Sequence, residues 1–372
     1  MACGLYIHIP FCIKKCAYCD FVSIVAPDKT HSLYFDALKK ELCKYYGANI
    51  DTIFIGGGTP SCVEAKYIYD TLTFIFKNMN VSPDAQLTIE TNPGTLTKQK
   101  LDIYKGCGIN RISLGVQSMQ DDELYSLGRI HNSIQAEDAV KLIKASGFSN
   151  FNLDIMLATP HQTLKSLGDT LDKAVALSPS HISAYSLIVE EGTKFYEMAQ
   201  NDELCVADED IEREMYEYAT DFLRKNGYIQ YEISNFAKEG FECRHNLKYW
   251  KCLPYIGVGV AAHSFYDNKR YENTNDINEY IDMINKSGSA KTSEQVLNND
   301  ELVSEYIIMA LRLSRGIELD DFYKRFGFDF VKKYKPIIDK YEKGGFLEHT
   351  ENCIRFTKRG INVSNVILCE FI

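Results

Sequence analysis

Residues 5–19, Leu-Tyr-Ile-His-Ile-Pro-Phe-Cys-Ile-Lys-Lys-Cys-Ala-Tyr-Cys, decide how this chain is read. A strand-like run, Leu5–Ile9, leads straight into a loop that holds Cys12, Cys16 and Cys19. Thiolates at this spacing can wrap one iron–sulfur cluster from a single loop. Three cysteines leave one iron of a [4Fe–4S] cluster without a protein ligand, open to an exogenous chelator. The bland alternatives are a zinc knuckle recruiting His8, or three incidental cysteines. Zinc sites usually arrive as two ligand pairs, and no matching second pair is present.

Working outward, strand-like runs recur at Thr52–Ile55, Gln86–Ile89, Arg111–Val116, Phe151–Leu157 and His181–Val189. Helical spacing fills the intervals at Tyr34–Tyr46, Ala65–Phe76, Ile134–Ala145 and Leu164–Leu177. Strands alternating with helices make βαβ units and a parallel sheet. Several strands end in loops rich in Gly, Asn, Asp or Pro, as in IFIGGGTP, LTIETNP and LDIMLATP. In a parallel barrel those loops form the rim where ligands bind. The pattern predicts an α/β fold, an incomplete TIM-like (β/α)6 barrel with one side open. A charged amphipathic helix over 206–226 and a strand-like YIQYEISNFA follow. From about residue 300 the chain turns helical and ends in short strands and an apolar helix, an α-rich, winged-helix-like domain. The expected divisions are 1–235 for the barrel, 236–295 for a connecting segment and 296–372 for the C-terminal domain.

Composition narrows the function classes. The 372 residues carry 41 Lys and Arg against 51 Asp and Glu, a net charge of -10. That balance argues against broad phosphate-backbone binding, and no nucleic-acid partner is expected. The 12 cysteines are dispersed through a long chain, which disfavours a disulfide framework. MACGLYIHIPFC has neither the basic n-region nor the apolar stretch of a signal peptide. Nor does any run approach the ~20 apolar residues of a membrane-spanning helix. The expected setting is cytoplasmic and reducing, with thiols free or metal-bound.

Gly56-Gly57-Gly58-Thr59-Pro60 follows the second strand. Its glycines let backbone approach a ligand and leave amides free for a carboxylate, or simply make a tight turn. Glu90, ending the third strand, can accept hydrogen bonds from an amine or ribose hydroxyls, or serve as a cap or ion-pair partner. Gln117, Arg129 and Asp154 sit at or just past strands, where polar side chains reach a barrel mouth or make structural hydrogen bonds.

C-x3-C-x2-C after the first strand of a parallel α/β barrel resembles the radical S-adenosylmethionine (SAM) superfamily. Tyr6-Ile-His-Ile-Pro-Phe-Cys together with Cys-Ala-Tyr-Cys-Asp-Phe resembles the branch holding oxygen-independent coproporphyrinogen III oxidase (HemN) and the heme chaperone HemW. The resemblance implies a [4Fe–4S] cluster on Cys12, Cys16 and Cys19, with SAM chelating the open iron. An electron, supplied by a reductant protein such as a flavodoxin, would then cleave SAM to a 5′-deoxyadenosyl radical. It also implies cofactor contacts for Tyr6, Gly57, Gly58, Thr59, Glu90, Gln117, Arg129 and Asp154. A second SAM pocket in the family would draw on Thr59, Gln117, Arg129 and Asp154.

Two departures favour the HemW side of that branch. Asp20-Phe21 follows Cys19 where the oxidase carries a further cysteine, and only eleven residues precede Cys12, without the oxidase's longer extension. His245-Asn-Leu-Lys-Tyr249-Trp250 resembles the HNxxYW motif associated with heme in HemW-like proteins. His245 can serve as an axial heme ligand, and Tyr and Trp can stack on a porphyrin. The alternative is a packed loop crossing the barrel mouth. The resemblance therefore implies a heme chaperone that binds heme or porphyrin and hands heme to acceptor proteins. Its rival is a coproporphyrinogen III dehydrogenase making protoporphyrinogen IX by radical decarboxylation; a radical SAM enzyme on another substrate is a third reading. No catalytic residue is assigned. Cys43, Cys62, Cys107, Cys205, Cys353 and Cys369 lack ligand spacing and are expected as small hydrophobes.

Overall fold

Alternate residues of each central strand go to opposite sides, and this alternation organises the molecule. In the computed structural model, which describes residues 2–371, β1 (Cys3–Ile9) buries Leu5, Ile7 and Ile9 under the helices. Tyr6 and His8 turn to the inside, where Tyr6 lies against Phe54. The pattern repeats in β2 (Asn49–Gly57), β3 (Asn80–Thr91), β4 (Arg111–Gln117), β5 (Phe151–Leu157) and β6 (His181–Ser186). Ile53, Leu87, Ile112, Leu153 and Ile182 join the apolar layer. Phe54, Glu90, Ser113, Asp154 and Ser183 line an interior cavity. The barrel is thus apolar where sheet meets helix and polar within.

These six strands are parallel and neighbour one another in chain order. Their crossovers include the helices Asp28–Leu42, Ala65–Asn78, Ser133–Ala145 and Leu164–Ala176, close to the sequence expectation. Asn132 and Thr163 start the last two with reciprocal capping boxes. A further helix, Lys98–Gly106, escaped the sequence reading because it buries only Leu101 and Tyr104. Two anchors are too few to show a helical period.

The sheet does not stop at six strands. Beyond β6 it takes an antiparallel hairpin, β7 (Ile229–Glu232) and β8 (Asn235–Ala237). Beside β1 it takes β9 (Tyr255–Val258), parallel, then β10 (His263–Tyr266), β11 (Lys269–Asn273) and β12 (Lys291–Val296), antiparallel. The result is an unclosed 12-stranded sheet in the order β12-β11-β10-β9-β1-β2-β3-β4-β5-β6-β8-β7. Residues 236–295, expected as a connector, supply β9, β10, β11 and most of β12 to the main sheet. Their strands KRYEN and KTSEQV carry the charges typical of exposed edges, so no β-branched run betrays them. Buried Glu41 ties the extension to helix Asp28–Leu42. Its carboxylate accepts from the Gly259 amide (2.8 Å), Asn273 Nδ2 (2.7 Å) and the Tyr280 hydroxyl (2.7 Å).

The C-terminal part has its own core, built around Phe322, Phe330, Ile338, Ile354 and Phe371. Helices Asn299–Ala310, Leu319–Phe326 and Lys335–Lys343 pack with a small antiparallel sheet, β13 (Ile317–Glu318), β14 (Leu347–His349) and β15 (Cys353–Phe356), in the order β13-β15-β14. Among the described residues no helix is long and apolar enough to cross a membrane.

Candidate functional site

The loop after β1 is closed on itself and stapled to its neighbours. The Cys12 amide donates to the Ile24 carbonyl (2.9 Å), and the Ile24 amide donates back to Pro10 (2.7 Å). Ala17 donates to Leu127 (3.1 Å) and accepts from Phe195 (2.9 Å), so two other loops hold the cysteine turn. Cys12, Cys16 and Cys19 are free, half-buried thiols on the wall of one cavity of about 140 Å³. Burial pushes the Cys19 thiol up to about 11. His8 is not a fourth ligand. Its Nε2 donates to the Val22 carbonyl (2.9 Å), which leaves Nδ1 to accept from the Tyr6 hydroxyl (3.0 Å). The zinc knuckle falls on that bonding pattern.

Of the two readings of the glycine turn, the geometry favours the tight turn. The Gly57 amide donates to Glu90 Oε2 (3.1 Å), that of Gly58 to Ile9 (2.9 Å) and that of Thr59 to Phe11 (2.8 Å). None of these amides is free for a ligand carboxylate. What the glycines provide is room: a Cβ on Gly57, at φ 108°, would lie 2.5 Å from the His8 ring. One on Gly58 would lie 2.8 Å from the Phe11 carbonyl. Gly57→Ala is accordingly expected to cost about 2–4 kcal/mol through overpacking and a strained φ. A change in urea-unfolding free energy below about 0.5 kcal/mol would contradict this packing.

A polar chain runs from this turn to the cysteines. Thr59 Oγ1 lies 3.5 Å from Cys12 Sγ and accepts from Asn92 Nδ2 (2.8 Å). Asn92 Oδ1 accepts from Arg129 (2.6 Å), which also donates to the Gly115 carbonyl (2.6 Å) and reaches Cys16 Sγ at 3.4 Å. Arg129 Nε is buried without a partner. Gln117 sits at φ 70°, a left-handed conformation costly for a side chain with a Cβ, and it accepts from the Tyr185 hydroxyl (2.9 Å). A register shift in the pairing of β4 with β5 accompanies it. Glu90 and Asp154 face the same space. Burial, then the Asp154 charge, pushes Glu90 up to about 8, and burial raises Asp154 against hydrogen bonds from Ser183, Asn152 and Ser113. Asn92 and Tyr185 were not singled out from sequence. Asn92 lies two residues past Glu90 at the same strand end, the one signal that could have found it.

The structure brings Cys12, Cys16, Cys19, Gly57, Gly58, Thr59, Glu90, Gln117, Arg129 and Asp154 to one cavity. Tyr6 stands one step behind it, under His8. The donor set fits an anionic iron–sulfur cluster with a polar cofactor beside it: three free thiols, a guanidinium next to one of them, and an unpartnered Nε.

His245 is not part of this assembly. HNLKYW forms the helix Arg244–Trp250 against the opposite end of the barrel, beside Gly4 and Thr52 near the starts of β1 and β2. It is a packed helix at the base, where the alternative reading had a packed loop across the mouth. His245 is 1% exposed. Nδ1 pairs with Thr52 Oγ1 and Nε2 with the Tyr249 hydroxyl, both at 2.9 Å, and the ring stacks on Phe54. Burial pushes its pKa down to about 3. Lys248 pins the same helix through a 2.7 Å ion pair with Asp51. Both nitrogens are engaged within the chain, by Thr52 and Tyr249. Asn246, Tyr249 and Trp250 are the motif residues that line open space.

Residues 6–174 match the radical SAM superfamily model and residues 297–363 the HemN C-terminal domain. The heme chaperone HemW of Bacillus subtilis is 33% identical over 372 residues, 99% of this chain and 98% of that protein. HemW of Escherichia coli is 40% identical over 266 residues, 70% of this chain and 69% of the relative. Among solved structures, coproporphyrinogen III oxidase (HemN) of Escherichia coli, described as a radical SAM enzyme, superposes with a TM-score of 0.86. That likeness spans 100% of this chain and 90% of the oxidase at 21% identity, and it shows the shared fold. With a three-thiol loop on the rim of an unclosed parallel sheet and whole-length kinship to HemW, this chain belongs to the HemW family of the radical SAM superfamily.

Proposed function

We propose that this protein is a heme chaperone, which binds heme alongside a SAM-ligated [4Fe–4S] cluster and passes the heme to acceptor proteins. The observation that carries it is the relationship to HemW across nearly the whole chain. Cys12, Cys16 and Cys19 would hold the cluster, which supplies an open iron for SAM and an electron path to it. Arg129 sets positive charge beside Cys16 and braces Asn92 and Thr59. Glu90, Gln117 and Asp154 offer side-chain acceptors to the cofactor's hydroxyls and amine. Their positions are fixed by the Gly57 amide, Tyr185, and Asn152 with Ser113. Acceptor proteins, a flavodoxin-like reductant and a reducing cytoplasm complete the reading.

The competing activity is separable in one experiment. Protein with an anaerobically reconstituted cluster is given SAM, a chemical reductant and coproporphyrinogen III, and the porphyrin products are measured. Product at the level of a protein-free control is expected, together with saturable heme binding by the same sample. Catalytic formation of protoporphyrinogen would replace the chaperone reading with the dehydrogenase.

A further inference from the structure

Arg111 opens β4 and points into the barrel, where it is among the largest fully buried side chains. A buried guanidinium normally has a carboxylate against it, because desolvating an unpaired charge is expensive. This one does not. The chain's partly buried ion pairs, Lys248–Asp51 and Arg270–Glu305, lie elsewhere, and Arg111 Nε has no hydrogen-bond partner. The guanidinium forms part of the wall of an inner chamber of about 450 Å³.

Four further observations say what the chamber would hold. Its neighbouring imidazole, His181, is spoken for by Asn152 Oδ1 (2.7 Å) and the Tyr231 hydroxyl (2.8 Å), and burial keeps it neutral. Glu90 and Asp154 share the chamber, where burial raises both pKa values and the Arg111 charge works against that rise, but neither carboxylate forms an ion pair with the guanidinium among the described residues. Arg111 therefore has carboxylates nearby but none in direct contact, and its Nε stays without a partner. The remaining wall mixes Phe54, Met156 and Leu187 with Ser183, Asn235 and Asn246, suiting a large apolar body that carries a few polar groups. Tyr18, Cys19, Glu90, Asp154 and Tyr185 line both this chamber and the cysteine cavity, so the two are continuous.

We propose that Arg111 anchors a carboxylate-binding subsite in the inner chamber, and that the carboxylate it takes is a porphyrin propionate. The assignment of propionate rests on the heme reading above; the carboxylate subsite rests on Arg111 itself. A forked guanidinium accepts such a group with two parallel charge-assisted hydrogen bonds.

The test uses the full-length protein with its cluster reconstituted. Heme and heme dimethyl ester are titrated into wild type, Arg111→Gln and Arg111→Lys, following the Soret band. Wild type is expected to bind the diacid about tenfold or more tighter than the diester. Arg111→Gln should lose that preference, with Arg111→Lys keeping part of it as a point charge. The diacid–diester comparison in wild type requires no variant, so a misfolded Arg111→Gln protein does not mask the answer. Equal affinity of wild type for diacid and diester, or an undiminished preference in Arg111→Gln, overturns the proposal. If wild type binds neither porphyrin, the heme reading fails, and equilibrium binding of SAM decides the subsite. A roughly tenfold weaker SAM affinity in Arg111→Gln would keep a carboxylate subsite filled by the amino-acid end of SAM. Unchanged SAM binding would remove it.

Discussion

Cys16→Ser is expected to strip the protein of its cluster while leaving its fold intact. A serine hydroxyl does not replace a thiolate on iron, so bound iron should fall from about four per chain to under about one after reconstitution. Visible iron–sulfur absorption should vanish with it. The apo-protein should lose less than about 1 kcal/mol, because Cys16 is half-buried and serine can keep the polar contacts its side chain makes with Arg129 at 3.4 Å and with Tyr18. Cys107→Ser is the internal control. Cys107 is buried and bonded to the Tyr104 carbonyl at 3.2 Å, so its serine variant should keep its iron. Iron and colour persisting in Cys16→Ser, or lost in Cys107→Ser, would remove the three-thiol assignment.

His245→Ala should show the opposite behaviour: a large loss of stability and little change in heme binding. Removing the ring deletes two buried hydrogen bonds and a stack on Phe54, and strands the hydroxyls of Thr52 and Tyr249. Together these cost about 3–4 kcal/mol. Heme affinity should stay within about twofold, since neither ring nitrogen is presented to a ligand; a loss of tenfold or more would restore His245 as an axial ligand. The pH profile gives an independent readout. A histidine held near pKa 3 in the folded state, against an ordinary value near 6.5, binds its proton more readily when unfolded. Its contribution is therefore complete above about pH 6.5 and lost as pH falls toward 3, at up to about 1.4 kcal/mol per pH unit. The alanine variant should lose stability less steeply across that window. Buried His8, His131 and His181, also shifted down, supply the slope that remains.

How much of this was legible depended on whether the chemistry had a sequence period. The thiol spacing and the glycine turn lie within single loops, so the residues that share this cavity could be singled out before any fold was known. Ile53, Leu87, Leu153 and Ile182 marked their strands because helices cover that face. The outer strands are short and charged, and nothing in KTSEQV distinguishes an edge strand from a loop. The burial of His245 was hidden for another reason. A motif shows which residues travel together but not which face they turn to the ligand, and seven residues of helix put His245 and Asn246 on different sides. Arg111 was read only as the start of a strand, because a charge beside β-branched residues usually marks an end at the surface. Its burial comes from the polar interior of an unclosed barrel, a property of the assembled sheet.

The position of β1 has a consequence for biosynthesis. It pairs with β2 on one side and on the other with β9, whose residues lie some 250 positions later. Until β9 leaves the ribosome, the strand that carries the cysteine loop has an open flank. At about 5–20 residues per second, that interval lasts roughly 10–50 seconds. Three reduced thiols spend it on an unfinished edge. Cluster delivery to a fully formed site is thereby placed after translation of the barrel's far flank.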